Sequence, residues 1–162
     1  MKTNKKDDNY IKLVNHILKN KTFNKIESFS HHGTTRLNHS MRVSYFSYKV
    51  AKRMGLDYQS AAISGLLHDF YIGEDDKGFI KYIKFQSKHP KIAAFNAVKY
   101  FSVSDKEKNI IETHMCPFTK PSRYLEGWVV SLVDKAIGTC EYSIKYKRQF
   151  GLWFISLLKI MK

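Results

Sequence analysis

Leu66-Leu67-His68-Asp69 is an apolar run that ends on an imidazole followed at once by a carboxylate. Neighbours on a helix point about 100° apart, so both side chains serve one site only where the helix is ending. His39, His89, His114 and Asp134 are further donors, each set in an apolar or helix-forming stretch. Imidazole nitrogen and carboxylate oxygen together suit borderline divalent ions, among them Fe, Mn, Co, Ni and Zn, better than they suit Mg alone. Asp134 lies inside Trp128-Val-Val-Ser-Leu-Val-Asp-Lys-Ala-Ile137, where nearly every face is apolar. A carboxylate buried there needs a cation, either a metal or a basic partner such as Arg36 or Arg42.

These donors must be brought together by helices. Tyr10, Leu13, Val14, Ile17 and Leu18 recur at helical spacing and predict a first helix to about Lys19, with His16 off its apolar stripe. Residues 23 to 35, with His31-His32-Gly33, read as a loop feeding the next helix. That helix runs from Arg36 to about Arg53 and stops at Gly55. Its predicted buried stripe is His39, Val43, Phe46, Val50 and Met54. A third helix spans about Tyr58 to His68. Its Gly65, which costs about 1 kcal/mol relative to alanine, implies a closely packed neighbour that would draw His68 towards His39.

Residues 70 to 88, with the acidic triplet Glu74-Asp75-Asp76, lack sustained periodicity and read as an irregular crossing segment. His89-Pro90 reads as a helix start, proline being tolerated in the first turn, with Ile92, Phe95, Val98 and Phe101 on its apolar side. Ser104 to Glu107 is a capping box for a helix that reaches His114 and stops before Pro117. Ser122 can cap a long helix from Tyr124 to about Tyr142. No stretch alternates like a paired strand and no repeat recurs, so the expected fold is all-α, a bundle of six to seven helices in a single domain over residues 1 to 162.

The ordered His39…His68-Asp69…His89…His114…Asp134 series resembles the HD superfamily of metal-dependent phosphohydrolases. The resemblance covers residues 36 to 141. It rests on Arg36-Leu-Asn-His39-Ser40, Gly65-Leu-Leu-His68-Asp69, His89-Pro90, Ile110-Ile-Glu-Thr-His114-Met115 and Val130-Ser-Leu-Val-Asp134-Lys135. By that resemblance His39, His68, Asp69 and Asp134 hold a first ion, and Asp69 also reaches a second held by His89 and His114. This is the pattern of a two-metal subgroup that includes symmetrical dinucleoside tetraphosphate hydrolases. The resemblance implies one or two divalent transition ions and hydrolysis of a phosphoester or phosphoanhydride, on a small phosphorylated, nucleotide-like substrate, by water activated between the ions. It gives His68 and Asp69 catalytic roles, with Arg36, Lys135, Lys120 or Arg123 stabilising phosphoryl charge. Relatives often follow His-Asp with a basic turn. Here Phe70-Tyr71-Ile72-Gly73 stands in that place.

Composition narrows the alternatives. The 162 residues carry 28 Lys and Arg against 14 Asp and Glu, a formal charge of +14 that favours anionic partners. The basic residues form no nucleic-acid-binding motif. Cys116 and Cys140 have no CxxC spacing, so a reducing, cytoplasmic setting fits. The charged start is unlike a secretory signal, and the apolar stretch from Phe150 to Met161 is shorter than the roughly 20 residues of a membrane span. Its near-complete apolar circumference predicts burial in the core or against a second copy in a homodimer. Two other functions use the same features differently. The ligand set also resembles that of HD-fold di-iron oxygenases, and the charge alone would serve a non-catalytic module for RNA or an anionic membrane.

Overall fold

The computed structural model describes residues 8–31, 34–73 and 79–160, with side chains over 8–29, 34–73 and 84–147. Among these residues the chain is almost wholly helical. Helix α1 (Asp8–Leu18) buries Tyr10, Val14 and Ile17. Asn20 then caps the single turn α2 (Lys21–Asn24) by accepting from the amides of Thr22 and Phe23 at 2.8 and 3.1 Å. A 3₁₀ turn (Lys25–Ser28) leads into a two-strand ribbon, β1 (Ser30–His31) and β2 (Thr34–Thr35), where a plain loop was expected.

Helix α3 (Arg36–Arg53) opens where expected, its N-cap Thr35 accepting from the Asn38 amide, and Gly55 follows its end at φ 70°. Its buried face is not the one predicted. His39 and Val43 are inside, but Phe46, Val50 and Met54 are 52, 37 and 59% exposed. The inward positions are instead mostly small and polar, Ser40, Ser44 and Ser47 with Ala51, beside the larger Arg36 and Tyr48. The reason lies across the interface in α4 (Tyr58–Leu67), where a Cβ on Gly65 would come within 3.0 Å of the Ser44 Cα. Close backbone approach needs small residues on both sides, and the Ser44 hydroxyl adds a bond to the Ala62 carbonyl at 2.7 Å.

Helix α5 (Phe79–Tyr100) begins ten residues before the predicted start, so residues 79–88 are helical rather than irregular and Pro90 lies mid-helix. Its inner face is Ala93, Ala94 and Ala97, while Ile92, Phe95 and Val98 face outward. The triplet Glu74-Asp75-Asp76 lies outside the described residues. Helix α6 (Asp105–Thr113) carries the expected capping box on Ser104 and Glu107.

Helix α7 (Leu125–Ile160) is continuous, joining the two C-terminal segments that the sequence suggests as separate helices. Its side chains beyond Lys147, including the apolar stretch at 150 to 161, lie outside the described residues, as do those of His31 and His32. No helix among the described residues is long and apolar enough to cross a membrane.

Helix α3 packs on α4 and α7, α4 also meets α6 and α7, and α5 lies on α6. The larger apolar cluster joins α1, α4 and α5 through Ile17, Phe23, Leu66, Phe70 and Ala97. A smaller one joins α3, α6 and α7 through Val43, Ile110 and Val130. The polar centre described next is built from α3, α5, α7 and the C-terminal ends of α4 and α6.

Candidate metal centre

His68 and His114 occupy equivalent places, the C-caps of α4 and α6. The last carbonyls of a helix have no partner within it, and both rings fold back to use one. His68 Nδ1–H donates to the Gly65 carbonyl at 2.9 Å, and His114 Nδ1–H donates to the Ile111 carbonyl at 2.8 Å. Within α5, His89 Nδ1–H donates to the Phe85 carbonyl at 3.1 Å. Each bond settles a tautomer, leaving the Nε2 lone pair free to act as a ligand. The Phe85 ring stacks on His89 at 5.0 Å between centroids, with Tyr71 at 5.5 Å on the same imidazole.

The Nε2 atoms converge. His89 Nε2 lies 3.3 Å from Asp69 Oδ1, and His114 Nε2 lies 3.9 Å from the same oxygen. His68 Nε2 stands 3.6 Å from Asp69 Oδ2 and 3.5 Å from Asp134 Oδ1. His39 Nε2 meets Asp134 Oδ1 at 2.9 Å. Donor atoms of His39, His68 and Asp134 fall within 4.8 Å of one another, as do those of His68, Asp69 and His114. All the predicted ligand positions therefore meet in one buried cluster.

Two observations test whether this donor set fits metal ions. His89 Nε2 and His114 Nε2 face each other at 3.2 Å while both Nδ1 atoms donate to carbonyls, so two neutral rings would set their lone pairs against one another across that gap. His68 Nε2 is fully buried and makes no hydrogen bond. A buried polar nitrogen without a partner is costly, and a cation ligated by these nitrogens resolves both cases. The residues fit.

Electrostatics separates the histidines. Burial, with His68 and His89 close by, pushes the His114 imidazole down to about 3, so it stays neutral and able to ligate. Burial also opposes charge on His39, but hydrogen bonds to Asp134 and Glu141 outweigh it and carry its pKa to about 10. His68 is raised too, burial being overcome by Asp69 and Asp134. Burial disfavours the Asp134 carboxylate, yet His39 and His68 hold it well below the ordinary range.

Sequence reasoning missed Glu141. Its Oε2 accepts from His39 Nδ1–H at 2.8 Å, and its Oε1 accepts from Arg42 Nη1–H at 2.8 Å. This is the carboxylate–histidine arrangement that orients a ligating imidazole. The available signal was spacing: Glu141 stands seven residues, two helical turns, after Asp134, and Arg42 stands three after His39.

Arg36 and Lys135 are placed beside the cluster. The fully buried Arg36 guanidinium lies over the Tyr71 ring at 3.7 Å and donates to the Tyr71 and Gly73 carbonyls at 2.9 and 3.0 Å. It thereby grips the chain just beyond His68-Asp69. Lys135 Nζ donates to Ser131 Oγ at 2.6 Å and to the His114 carbonyl at 3.2 Å, while Ser131 Oγ donates to that carbonyl at 2.6 Å. The pair fastens the His114 backbone to α7.

No curated protein and no solved structure matches the chain. Residues 36–137, well over half of the chain, match the HD domain. That span begins at Arg36, the first residue of α3, and includes all the convergent donors. HD domains bind divalent metals and fall within a superfamily of metal-dependent phosphohydrolases. The helical architecture, the His and Asp cluster and the match over 36–137 agree, and the chain belongs to the HD domain family.

Proposed function

We propose that the centre holds two divalent transition ions and that the protein hydrolyses a phosphoester or phosphoanhydride in a nucleotide-like small molecule. His39, His68, Asp69 and Asp134 hold the first ion in this reading. Asp69, His89 and His114 hold the second, with Asp69 shared. The observation that carries it is the set of imidazoles whose Nδ1–H groups are already spoken for, so that their Nε2 atoms gather around two carboxylates. Such ions, when bound, supply Lewis-acid activation of water and of a phosphoryl oxygen.

The chain's own residues do the rest. Asp69 and Asp134 provide the negative charge that retains cations, and buried His89 and the neutral His114 keep the second position ligating. Glu141 holds the His39 ring. Arg36 positions the segment after Asp69, and Lys135 positions His114, roles that act through the ligands. A polyphosphate dinucleotide is the first substrate to test, since the subgroup that this chain resembles includes dinucleoside tetraphosphate hydrolases.

The experiment is metal analysis of protein purified under reducing conditions, followed by a phosphate-release screen over nucleotides and dinucleotides with Mn, Fe, Co, Ni and Mg. Asp69→Ala should lose more metal than His89→Ala, because Asp69 serves both ions. Asp134→Asn, nearly isosteric, should abolish turnover while the fold persists. Wild-type protein that takes up none of Mn, Fe, Co, Ni or Zn, or that releases neither phosphate nor nucleotide when loaded, refutes the proposal. Oxygen consumption without phosphate release would assign the site to oxidation instead.

A further inference from the structure

A groove of about 860 Å³ lies between α5, α6 and the connection from α6 to α7, separate from the buried histidine cluster. Its size is that of a pocket for a small organic ligand. Lys88 and Lys91 line it from α5, and Lys120 and Arg123 line it from the connection. None of these four side chains forms an ion pair among the described residues. The one acid on its wall, Glu112, is itself within 4.0 Å of Lys108. Unpaired cations gathered on a concave wall create a positive potential suited to a multiply charged anion.

The groove is also built to hold its shape. Asn109 Oδ1 accepts from Ser122 Oγ–H at 3.3 Å and from the Arg123 amide at 3.2 Å, and Thr119 Oγ1–H donates to the Thr113 carbonyl at 3.1 Å. These bonds fix the connection against α6. Phe118 lines the same groove and is 45% exposed. An exposed aromatic among cations is the combination that stacks a nucleobase while the phosphates are neutralised. The groove also shares its helices with the centre, since Lys88 directly precedes His89 and Thr113 directly precedes His114.

We infer that this groove binds the base and polyphosphate of a nucleotide, and that it docks the part of the substrate remote from the bond being cleaved. The second half rests on the hydrolase reading above. Lys88, Lys91, Lys120 and Arg123 take the phosphate oxygens and Phe118 takes the base.

The test measures binding of inorganic tripolyphosphate and of ATP to chelator-treated protein by calorimetry, where neither hydrolysis nor bound metal contributes. Lys120→Gln/Arg123→Gln and Lys88→Gln/Lys91→Gln should each weaken both ligands at least tenfold. Phe118→Ala should weaken ATP severalfold and leave tripolyphosphate unchanged. Lys12→Gln/Lys19→Gln, an equal charge loss at exposed positions on and just after α1, should change neither. Groove variants that bind within twofold of wild type, or an α1 variant that loses as much, overturn the site and leave the hydrolase reading untouched. In metal-loaded protein acting on a substrate from the screen, the groove variants should raise KM at least tenfold, with the loss in KM rather than kcat. Lost ATP binding with unchanged KM overturns the docking role. Failure of all hydrolysis, with ATP binding still lost in the groove variants, overturns the hydrolase reading and the docking role while the nucleotide site stands.

Discussion

Glu141→Gln isolates a single interaction on the metal centre. The carboxylate is 5% exposed and accepts two charge-assisted bonds of 2.8 Å, one oxygen for His39 Nδ1–H and the other for Arg42. A glutamine side chain has the same shape but only one acceptor oxygen. Whichever way its amide is turned, either His39 or Arg42 faces an NH₂ group. Arg42 is 52% exposed and can turn to water, so the amide oxygen will settle on His39 as a neutral and weaker acceptor. Loss of a partner that orients a ligating imidazole typically weakens metal binding by about 10- to 100-fold, or ~1.4–2.8 kcal/mol. Chelator competition with Mn or Co, on variant and wild type of matched circular dichroism, reads this directly. Arg42→Ala should fall below that range, within about threefold, because solvent screens the exposed guanidinium. A Glu141→Gln protein that is folded and binds metal within twofold of wild type would refute the argument that Glu141 tunes the centre.

Gly65→Ala should lower stability by about 1–3 kcal/mol through overpacking, although alanine is the better helix former by about 1 kcal/mol, because its Cβ would stand 3.0 Å from the Ser44 backbone; an unchanged or raised melting temperature sinks this account of α3 on α4. The metal-free protein should show a stability maximum near neutrality. His39 has a folded pKa of about 10, above its unfolded value near 6.5, so its contribution is whole below pH 6.5 and fades as pH rises through 10. His114, held at about 3, contributes fully above pH 6.5 and loses that contribution as pH falls through 3. Melts of chelator-treated protein from pH 4 to 9 check both limbs, and a His39→Gln variant that keeps the same alkaline decline would remove His39 as its cause.

Much of this was legible because chemistry and chain punctuation coincide. Gly55 and the Ser104 box mark helix ends through backbone requirements that tertiary contacts do not alter, and His68 and His114 are recognisable as residues at such ends. Asp134 stands out by its apolar neighbours. The misassigned faces of α3 and α5 share a different cause, namely that side-chain size competes with hydrophobicity in deciding which face goes inside. On α3 Ser44, facing Gly65, lies inside while Phe46 and Val50 are exposed, and on α5 three alanines are buried while Ile92, Phe95 and Val98 are exposed. Proline misled in α5 because its preference for a first turn is statistical, whereas a helix already packed on both sides of Pro90 can absorb one missing amide bond. Glu141 went unread because Glu-Tyr-Ser-Ile-Lys looks like solvated surface, and only its register with Asp134 places it inward.

The bond between His39 and Asp134 spans 95 positions in the chain, the first ligand of the series touching the last. A knot tied between such distant points has no local precursor. Neither α3 alone nor any hairpin of two neighbouring helices presents a complete set of donors, because the donors come from α3, α5, α7 and the C-terminal ends of α4 and α6. An ion held at that closure by His39, His68, Asp69 and Asp134, the first of the two proposed, would act as a clasp on the domain, retained only while α7 lies against α3, so that its release and the lifting of the last helix become one event. Occupancy of the centre is then a gauge of tertiary integrity: it reads whether the two ends of the fold are still in hand.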